Sequence, residues 1–564
     1  VKTLLLKAAG FLSVAILFSI IYTQSPLYTS NQNQYFLHGF AQAGVGNLAD
    51  DWLANSLDPT PLFSLLVRWV YQITQWEPIF YLIYAILMWI YFYSIVGIVG
   101  QTLPVYASIK KWKSTRYLVF LALFLTIHSA ALRYALSLGL GDNWTFLFED
   151  GVADQRMLGL VLQPSTFGVF LLLSIYLFLK RQPYWAMLSH VFAASMHPTY
   201  LLSAGVLTLT YTLISIGEAW YARKNDLSQA STRAEGKAKS TQAKWTPGKL
   251  IPLFLPAILA LLSVLPILTY VFLNFGNTPP ASTAQAQDIL VNYRIPHHAL
   301  VKSWFDATAI LKIGFICLAL ILVRKQRLFW VLAIPFTVAI ILTLVQVISG
   351  SNFLALLFPW RMSIFLVPLS TTLILAWIVS RGETWLRYIP FLDRRNLGEI
   401  YPRKNQNIPR PQPTGLVETV LRTGSYCLVI ILVFIGLIRI RLDFQRKAEI
   451  PEAAALAFIA QHHSPGEIYL TSVKMQDFRL AAQSAQYVDF KAIPYRDEDV
   501  LEWYRRIQLA NAFYKGQDCT VLNQLANEGI SHILLPLDAF QETCAGLSEI
   551  YRDENYGIYQ AEIP

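Results

Sequence analysis

The sequence predicts a mainly α-helical, polytopic transmembrane bundle of about eleven helices, followed by a small α/β domain at its C-terminal end. Three observations predict it. Of 564 residues, 55% are hydrophobic and only 14% charged, with a mean hydropathy of +0.42, whereas soluble chains average about 25% charged residues. Apolar runs of about 20 residues, the length that crosses a hydrocarbon core, recur along the chain. The Lys and Arg residues behind the net charge of +10 gather in short segments between those runs. That is the positive-inside pattern of membrane proteins, and it argues against nucleic acid as a partner. Many of the aromatic residues stand at the ends of runs, as interfacial anchors do.

The first run, 4–22, follows Lys2 and Lys7. Those flanks suit a signal peptide, but the run is long for one and lacks a small-x-small cleavage site. It reads as a retained helix with its N-terminus in the cytoplasm. A polar stretch, 23–77, is the first outer loop. The run 78–99 returns to the basic segment Lys110, Lys111, Lys113 and Arg116. The run 117–138 goes out to a second outer loop, 139–160, and 161–179 comes back to Lys180 and Arg181. The next segment, 185–220, is too long for one span and is interrupted at His197-Pro198. Proline removes a backbone donor and clashes with the preceding turn, so this segment is expected to go out, break and return. Its return delivers Arg223, Lys224, Arg233, Lys237, Lys239, Lys244 and Lys249 to the cytoplasm. The run 250–275 leads to a third outer loop, 276–308. The run 309–323 ends at Arg324, Lys325 and Arg327, and 328–348 and 353–379 form a further pair. A basic, proline-containing segment with Asp393-Arg394-Arg395 and Pro402-Arg403-Lys404 follows. The last run, 426–440, leads outside. Every strongly basic loop then falls on one side, as expected of a multi-pass protein of a plasma or inner membrane.

Residues 1–441 therefore form the helical domain, and 442–564 an extracytoplasmic domain of ordinary soluble composition. Helix is expected at 452–462, strands at 467–472 and 530–535, and a helix ending at Gly529. Cys317 and Cys427 lie in apolar runs and read as small core residues. Cys519 and Cys544 lie in the tail, where an oxidising compartment permits a disulfide that two residues alone do not establish. The tail carries no Gly-rich phosphate loop, metal-ligand spacing or nucleophile elbow.

Candidate chemistry starts in the first outer loop, where Asp50 and Asp51 are adjacent. One carboxylate can act as general base while the other holds a divalent cation or raises its partner's pKa; the plain alternative is a solvated loop helix with Asp in its first turn. Glu149, Asp150, Asp154, Gln155 and Arg156 form a second acidic cluster, or else the charged face of an interfacial helix. His190 and His197 are seven residues apart on one helical face, with Tyr200 a turn further on. Intramembrane ionisable groups point to function unless satisfied in the core, and the same choice applies to His128 and Arg133. Arg294, His297, His298 and Lys302 make a basic outer loop suited to the phosphate of a lipid carrier or to anionic headgroups. Arg361 stands just inside an apolar run and needs a partner, a water-filled cavity or room to snorkel. In the tail, Arg479, Asp489, Lys491 and residues 502–506 read as a mixed-charge surface, either solvated or covering a site.

The first-loop pair, the many helices and the outer C-terminal domain together resemble the GT-C type of polytopic membrane glycosyltransferases. That group includes oligosaccharyltransferase catalytic subunits and lipid-donor mannosyl- and arabinosyltransferases. The resemblance covers the layout of the chain, and its sequence match is Asp50-Asp51; the WWD-like motif of oligosaccharyltransferases is absent from the tail. It implies a GT-C-like fold and transfer of sugar from a polyprenyl-phosphate donor at the outer face, with Asp50 or Asp51 as base. It further implies Arg361 on the donor phosphate and a Mg or Mn ion among Asp50, Asp51, Glu149 and Asp154. A transporter or flippase for a lipid or polar solute, with a discontinuous helix at His197-Pro198, and a non-catalytic assembly partner are the alternatives.

Overall fold

The structure, a computed structural model, describes residues 2–102, 115–233, 247–276, 278–386, 415–516, 519–537, 544 and 546–561. The basic residues expected at Lys110, Lys111, Lys113, Lys237, Lys239, Lys244, Asp393-Arg394-Arg395 and Pro402-Arg403-Lys404 lie outside these.

The molecule is mainly helical. Among the described residues, five helices are long and apolar enough to cross a membrane: Ile79–Thr102, Pro198–Asn225, Ile251–Phe275, Arg327–Ser349 and Asn352–Arg381. A sixth arises if the bent pair Thr115–Ile127 and Ala130–Leu140 is one span. Other expected runs form shorter or interrupted helices, for local reasons. The run 117–138 bends by 53° because Ser129 leaves the helix and caps the next one, accepting from the Leu132 amide at 3.1 Å. The run 161–179 opens with a 3-10 turn, Pro164–Gly168, which leaves only Val169–Leu179 as α-helix. The run 309–323 forms the helix Ala307–Val323, and the last run lies within the 34-residue helix Gly415–Ala448. Large apolar side chains such as Leu262, Phe272, Leu344, Ile348, Ile430 and Phe434 face outward. Only 17% of the most apolar window of Ile251–Phe275 is buried. An apolar exterior on this scale suits lipid rather than water, consistent with a multi-pass membrane protein.

The helix Gly415–Ala448 carries the chain past residue 442 without a break, so the tail begins after Ala448. The tail is a small α/β unit built on a five-stranded sheet. Its strands are β1 (Ile468–Leu470), β2 (Ala485–Gln486), β3 (His532–Pro536), β4 (Leu547–Arg552) and β5 (Tyr556–Ala561), in the order β2-β1-β3-β5-β4. β1 runs parallel to β2 and β3, while β5 is antiparallel to both β3 and β4. Helices Ala453–His462, Asp497–Gly516 and Leu522–Asn527 accompany the sheet. One core gathers Leu470, Val500, Trp503, Ile507, Phe513 and Ile533. Cys519 and Cys544 are disulfide-bonded.

Loops 23–77 and 276–308 contact this tail. Asn33 donates to Asp477 Oδ1 at 2.7 Å, the Asn47 amide to the Gln483 carbonyl at 2.8 Å, and Thr283 Oγ1 to Asp497 Oδ2 at 2.7 Å. Gly46, at φ +49°, lies so close to Gln483 that a Cβ would overlap its carbonyl oxygen. Loop 139–160 joins loop 276–308 where His298 Nδ1 meets the Ala153 carbonyl at 2.8 Å.

Candidate functional site

Between the bundle and the tail lies a cavity of about 610 Å³. Irregular backbone builds its walls. Phe358 adopts φ +48° and Pro359 starts a 3-10 turn, Pro359–Met362, which interrupts the expected run 353–379 and places Arg361 on the cavity. Arg361 Nη1 donates to Gln155 Oε1 at 2.6 Å, and its guanidinium lies 4.9 Å from the centre of the Tyr200 ring. At the second break His197 turns extended, ending the helix Pro183–Met196. Its ring meets Tyr200 and Tyr35 edge-on, at 5.5 and 5.9 Å. Tyr200 donates to the Ser165 carbonyl at 2.6 Å, close enough that only glycine fits at 168 without displacing it. A π-helical turn, Ile289–Arg294, delivers Arg294, whose Nη2 donates to the Lys491 carbonyl at 2.6 Å. Such turns recur at functional sites. Ala153 and Asp154 are consecutive non-glycine residues at φ +58° and +51°, so the loop that presents Asp154 holds backbone strain.

Charge on the walls is unbalanced. Arg156, Arg294, Arg361 and Lys491 face the space with Asp154 and Asp497 as the lining carboxylates. Lys491 is held below the usual ammonium range, first by burial and then by the Arg294 charge, with Arg156 adding to it. Cations that repel one another in a partly desolvated space favour an anion between them. Among the described residues, Arg294 Nε, Arg361 Nε and His197 Nδ1 are buried without a hydrogen-bond partner. Leaving such polar atoms unpaired is unfavourable by about 1–3 kcal/mol each. The remaining wall mixes neutral polar side chains, Ser30, Asn31, Gln34, Gln163, Gln287 and Tyr495, with apolar ones such as Leu290, Ile295, Leu356 and Ile493.

The sequence-based candidates divide sharply. Arg294, His297, His298, Arg361, His197 and Asp154 all line the cavity. The histidines need a correction, because they are not cations. Burial, helped by His297, Arg361 and Arg156, pushes His298 down to about 3, and burial lowers His297 as well. Tyr200 is buried beneath Arg361, and Lys302 is exposed on the short helix Val301–Trp304, outside the lining. His190 does not share the site, since it bonds Ser174 Oγ at 3.1 Å and Thr208 Oγ1 at 2.9 Å inside the bundle. His128 is likewise satisfied, by Tyr91 and the Phe124 carbonyl. Glu149 pairs with Arg133 at 2.9 Å rather than joining Asp154. Asp150 pairs with Arg156 and is pushed up to about 7 by burial.

Asp50 and Asp51 do not border the cavity. Asp50 is exposed and accepts from the Gly466 amide at 2.8 Å. Asp51 is fully buried: Oδ1 accepts from the Leu53 and Ala54 amides, and Oδ2 from Arg479 Nε at 2.6 Å and the Gln486 amide at 2.9 Å. Arg479 also pairs with buried Asp489, so these tail residues form an internal ion triad rather than a solvated surface. The four carboxylates expected to share a cation stand in four separate environments. Among the described residues, no group of three or more His, Cys, Asp or Glu side chains is placed to hold a metal ion. The sequence reading carried Arg156 and Lys491 only as members of charged clusters and did not bring Tyr35 and Tyr495 into the site; the residues beside these four give no common signal for the cavity.

A family model for a domain of unknown function, DUF6798, matches residues 451–510. That segment includes Arg479 and Asp489, and Lys491, Ile493, Pro494, Tyr495 and Asp497 on the cavity. No curated protein matches the chain.

Proposed function

We propose that this protein is a GT-C-like membrane glycosyltransferase that takes a sugar from a polyprenyl-phosphate carrier and passes it to an acceptor at the outer face of the membrane. The observation that carries this reading is the gathering of arginines from separate loops on one cavity that also presents carboxylates and neutral polar side chains. Arg294 and Arg361 hold the donor phosphate through charge-assisted hydrogen bonds. Gln34, Asn31 and Gln287 suit the hydroxyl groups of a sugar. The acceptor oxygen attacks the anomeric carbon, and the bond from that carbon to the phosphate oxygen breaks with its electron pair leaving on phosphate. Asp154, in place of the Asp50-Asp51 pair, takes the acceptor proton. The base and the phosphate cations then occupy one space, as electrostatic stabilisation of a leaving group requires. Sugar nucleotides are cytoplasmic, so transfer outside calls for a lipid carrier.

The proposed topology has eleven crossings, counting the bent pair as one and including the shorter helices, with the N-terminus inside and the tail outside. The contacts of loops 23–77 and 276–308 with the tail, and of loop 139–160 with loop 276–308, support it, as does the Cys519–Cys544 disulfide, which suits an oxidising compartment.

The test is mass spectrometry of phosphate amphiphiles that co-purify with the full chain after incubation with membrane lipid extract. Wild type should enrich polyprenyl-phosphate species, and the double variant Arg294→Gln/Arg361→Gln should not. Equal recovery from both would sink the reading. The second reading, a transporter, is favoured by the helix breaks at His197 and Phe358 on the cavity wall. It predicts carrier that crosses a reconstituted bilayer chemically unchanged.

A further inference from the structure

The segment that matches the domain of unknown function takes part in the cavity in a way that its match does not assign. We infer that this tail domain is a working wall of the phosphate site: Lys491 supplies a cation that contacts the anion, and the Asp51–Arg479–Asp489 triad positions it. The inference rests on the phosphate reading above.

The chain of contacts is continuous. Asp489 Oδ1 accepts from the Lys491 and Ala492 amides, both at 2.7 Å, which fixes the turn that carries the lysine. Its other oxygen pairs with Arg479, and Arg479 reaches Asp51 in the first outer loop. Trp503 Nε1 donates to the Asp489 carbonyl at 2.9 Å, tying the same turn to the tail core. From the bundle side, Arg294 grips the Lys491 carbonyl at 2.6 Å, and Gln34 donates to the Ile493 carbonyl at 3.2 Å. The backbone of the turn is thus held from three sides, while Lys491 lines the cavity beside Arg156 and Arg294. A cation so placed is destabilised by its like-charged neighbours and stabilised by an anion shared with them. The triad itself lies behind the turn and does not line the cavity, so its members are positioning residues.

The experiment uses the full chain in detergent, with a short-chain isoprenyl phosphate and inorganic pyrophosphate as separate calorimetric probes. Lys491→Gln should weaken isoprenyl phosphate binding by about ten-fold or more, and Lys491→Arg should stay within about three-fold of wild type. Asp489→Asn should fall between them, and Lys491→Arg in that background should not recover it. Binding of pyrophosphate alone, with the same lysine dependence, assigns a free phosphate as the ligand; binding of isoprenyl phosphate alone assigns a lipid headgroup. A second measurement needs no variant. Acylation of the Lys491 amine, read by mass spectrometry, should drop several-fold at saturating probe, while exposed Lys474 labels unchanged. If wild type binds neither probe, the phosphate reading falls and takes this inference with it. If wild type binds while Lys491→Gln binds equally well, or Lys491 labelling is unaffected, only the role of the tail falls.

Discussion

Replacing Arg479 with methionine tests the claim that the loop 23–77 and the tail are joined by a buried ion triad. The guanidinium spends Nε on Asp51 at 2.6 Å, Nη1 on Asp489 and Nη2 on the Gln486 carbonyl at 3.2 Å, and the side chains of all three residues are at most 3% exposed. Methionine approximates the stem but leaves two carboxylates buried without a counter-charge. Breaking a buried pair from one side is destabilising by about 3–5 kcal/mol. Asp51→Asn should be milder, about 1–3 kcal/mol. It keeps the shape and leaves Arg479–Asp489 neutral, but an amide NH2 must face either Arg479 and Gln486 or the Leu53 and Ala54 amides, donor against donor. Asp50→Asn should lie within about 0.5 kcal/mol of wild type, since its one contact is an exposed acceptor that asparagine retains. Bundle and tail need not unfold together, so a single melting temperature is the wrong measure. Trypsin cleavage after Lys447 is the better one, because Lys447 Nζ is held by the Tyr28 carbonyl at 3.0 Å and by Asp477. A loss of 3–5 kcal/mol raises the open population roughly a hundred- to a few-thousand-fold. If Arg479→Met is cut within three-fold of the wild-type rate, or Asp50→Asn is cut as fast as Asp51→Asn, the triad does not hold the tail.

Gly46→Ala should loosen the same junction, because the left-handed backbone and the overlap with Gln483 both oppose a Cβ; faster trypsin cleavage after Lys447 checks it. Asp150 should make stability depend on pH. Burial raises its folded-state value to about 7, so the native protein retains a proton that the unfolded chain releases above about 4. Stability should therefore fall between about pH 4 and 7 and level off above that. Asp150→Asn should flatten the profile, as thermal inactivation across that range will show. Opening the Cys519–Cys544 disulfide by double serine substitution should lower tail stability by about 3 kcal/mol, since it closes a loop of sequence separation 25; urea unfolding followed by tail-specific proteolysis measures it.

Much of the architecture was readable from residue order. Apolar length and basic-loop spacing marked the helices, and short apolar runs in the tail marked β1 and β3. What failed did so where adjacency or helical phase was taken as a guide to direction. Asp50 and Asp51 are neighbours, but Asp50 ends a 3-10 turn while Asp51 is extended at φ −71° and ψ 129°. One therefore faces outward and the other inward. His190 and His197 share a helical phase only while the helix lasts, and His197 leaves it at φ −144°. The basic pair at 297–298 looked cationic because composition cannot register the burial that discharges an imidazole.

Membrane character, the positions of the helices and the α/β nature of the tail follow from hydropathy and short-range periodicity, which are properties of contiguous residues. The site does not follow from them. Arg156, Arg294, Arg361 and Lys491 come from four distant segments, and no local rule relates them. They meet because helix breaks at His197 and Phe358 and a π-turn at Arg294 redirect the backbone, and because a buried triad docks the tail over it. Those are long-range contacts whose stability depends on burial, and burial exists only once the chain has packed.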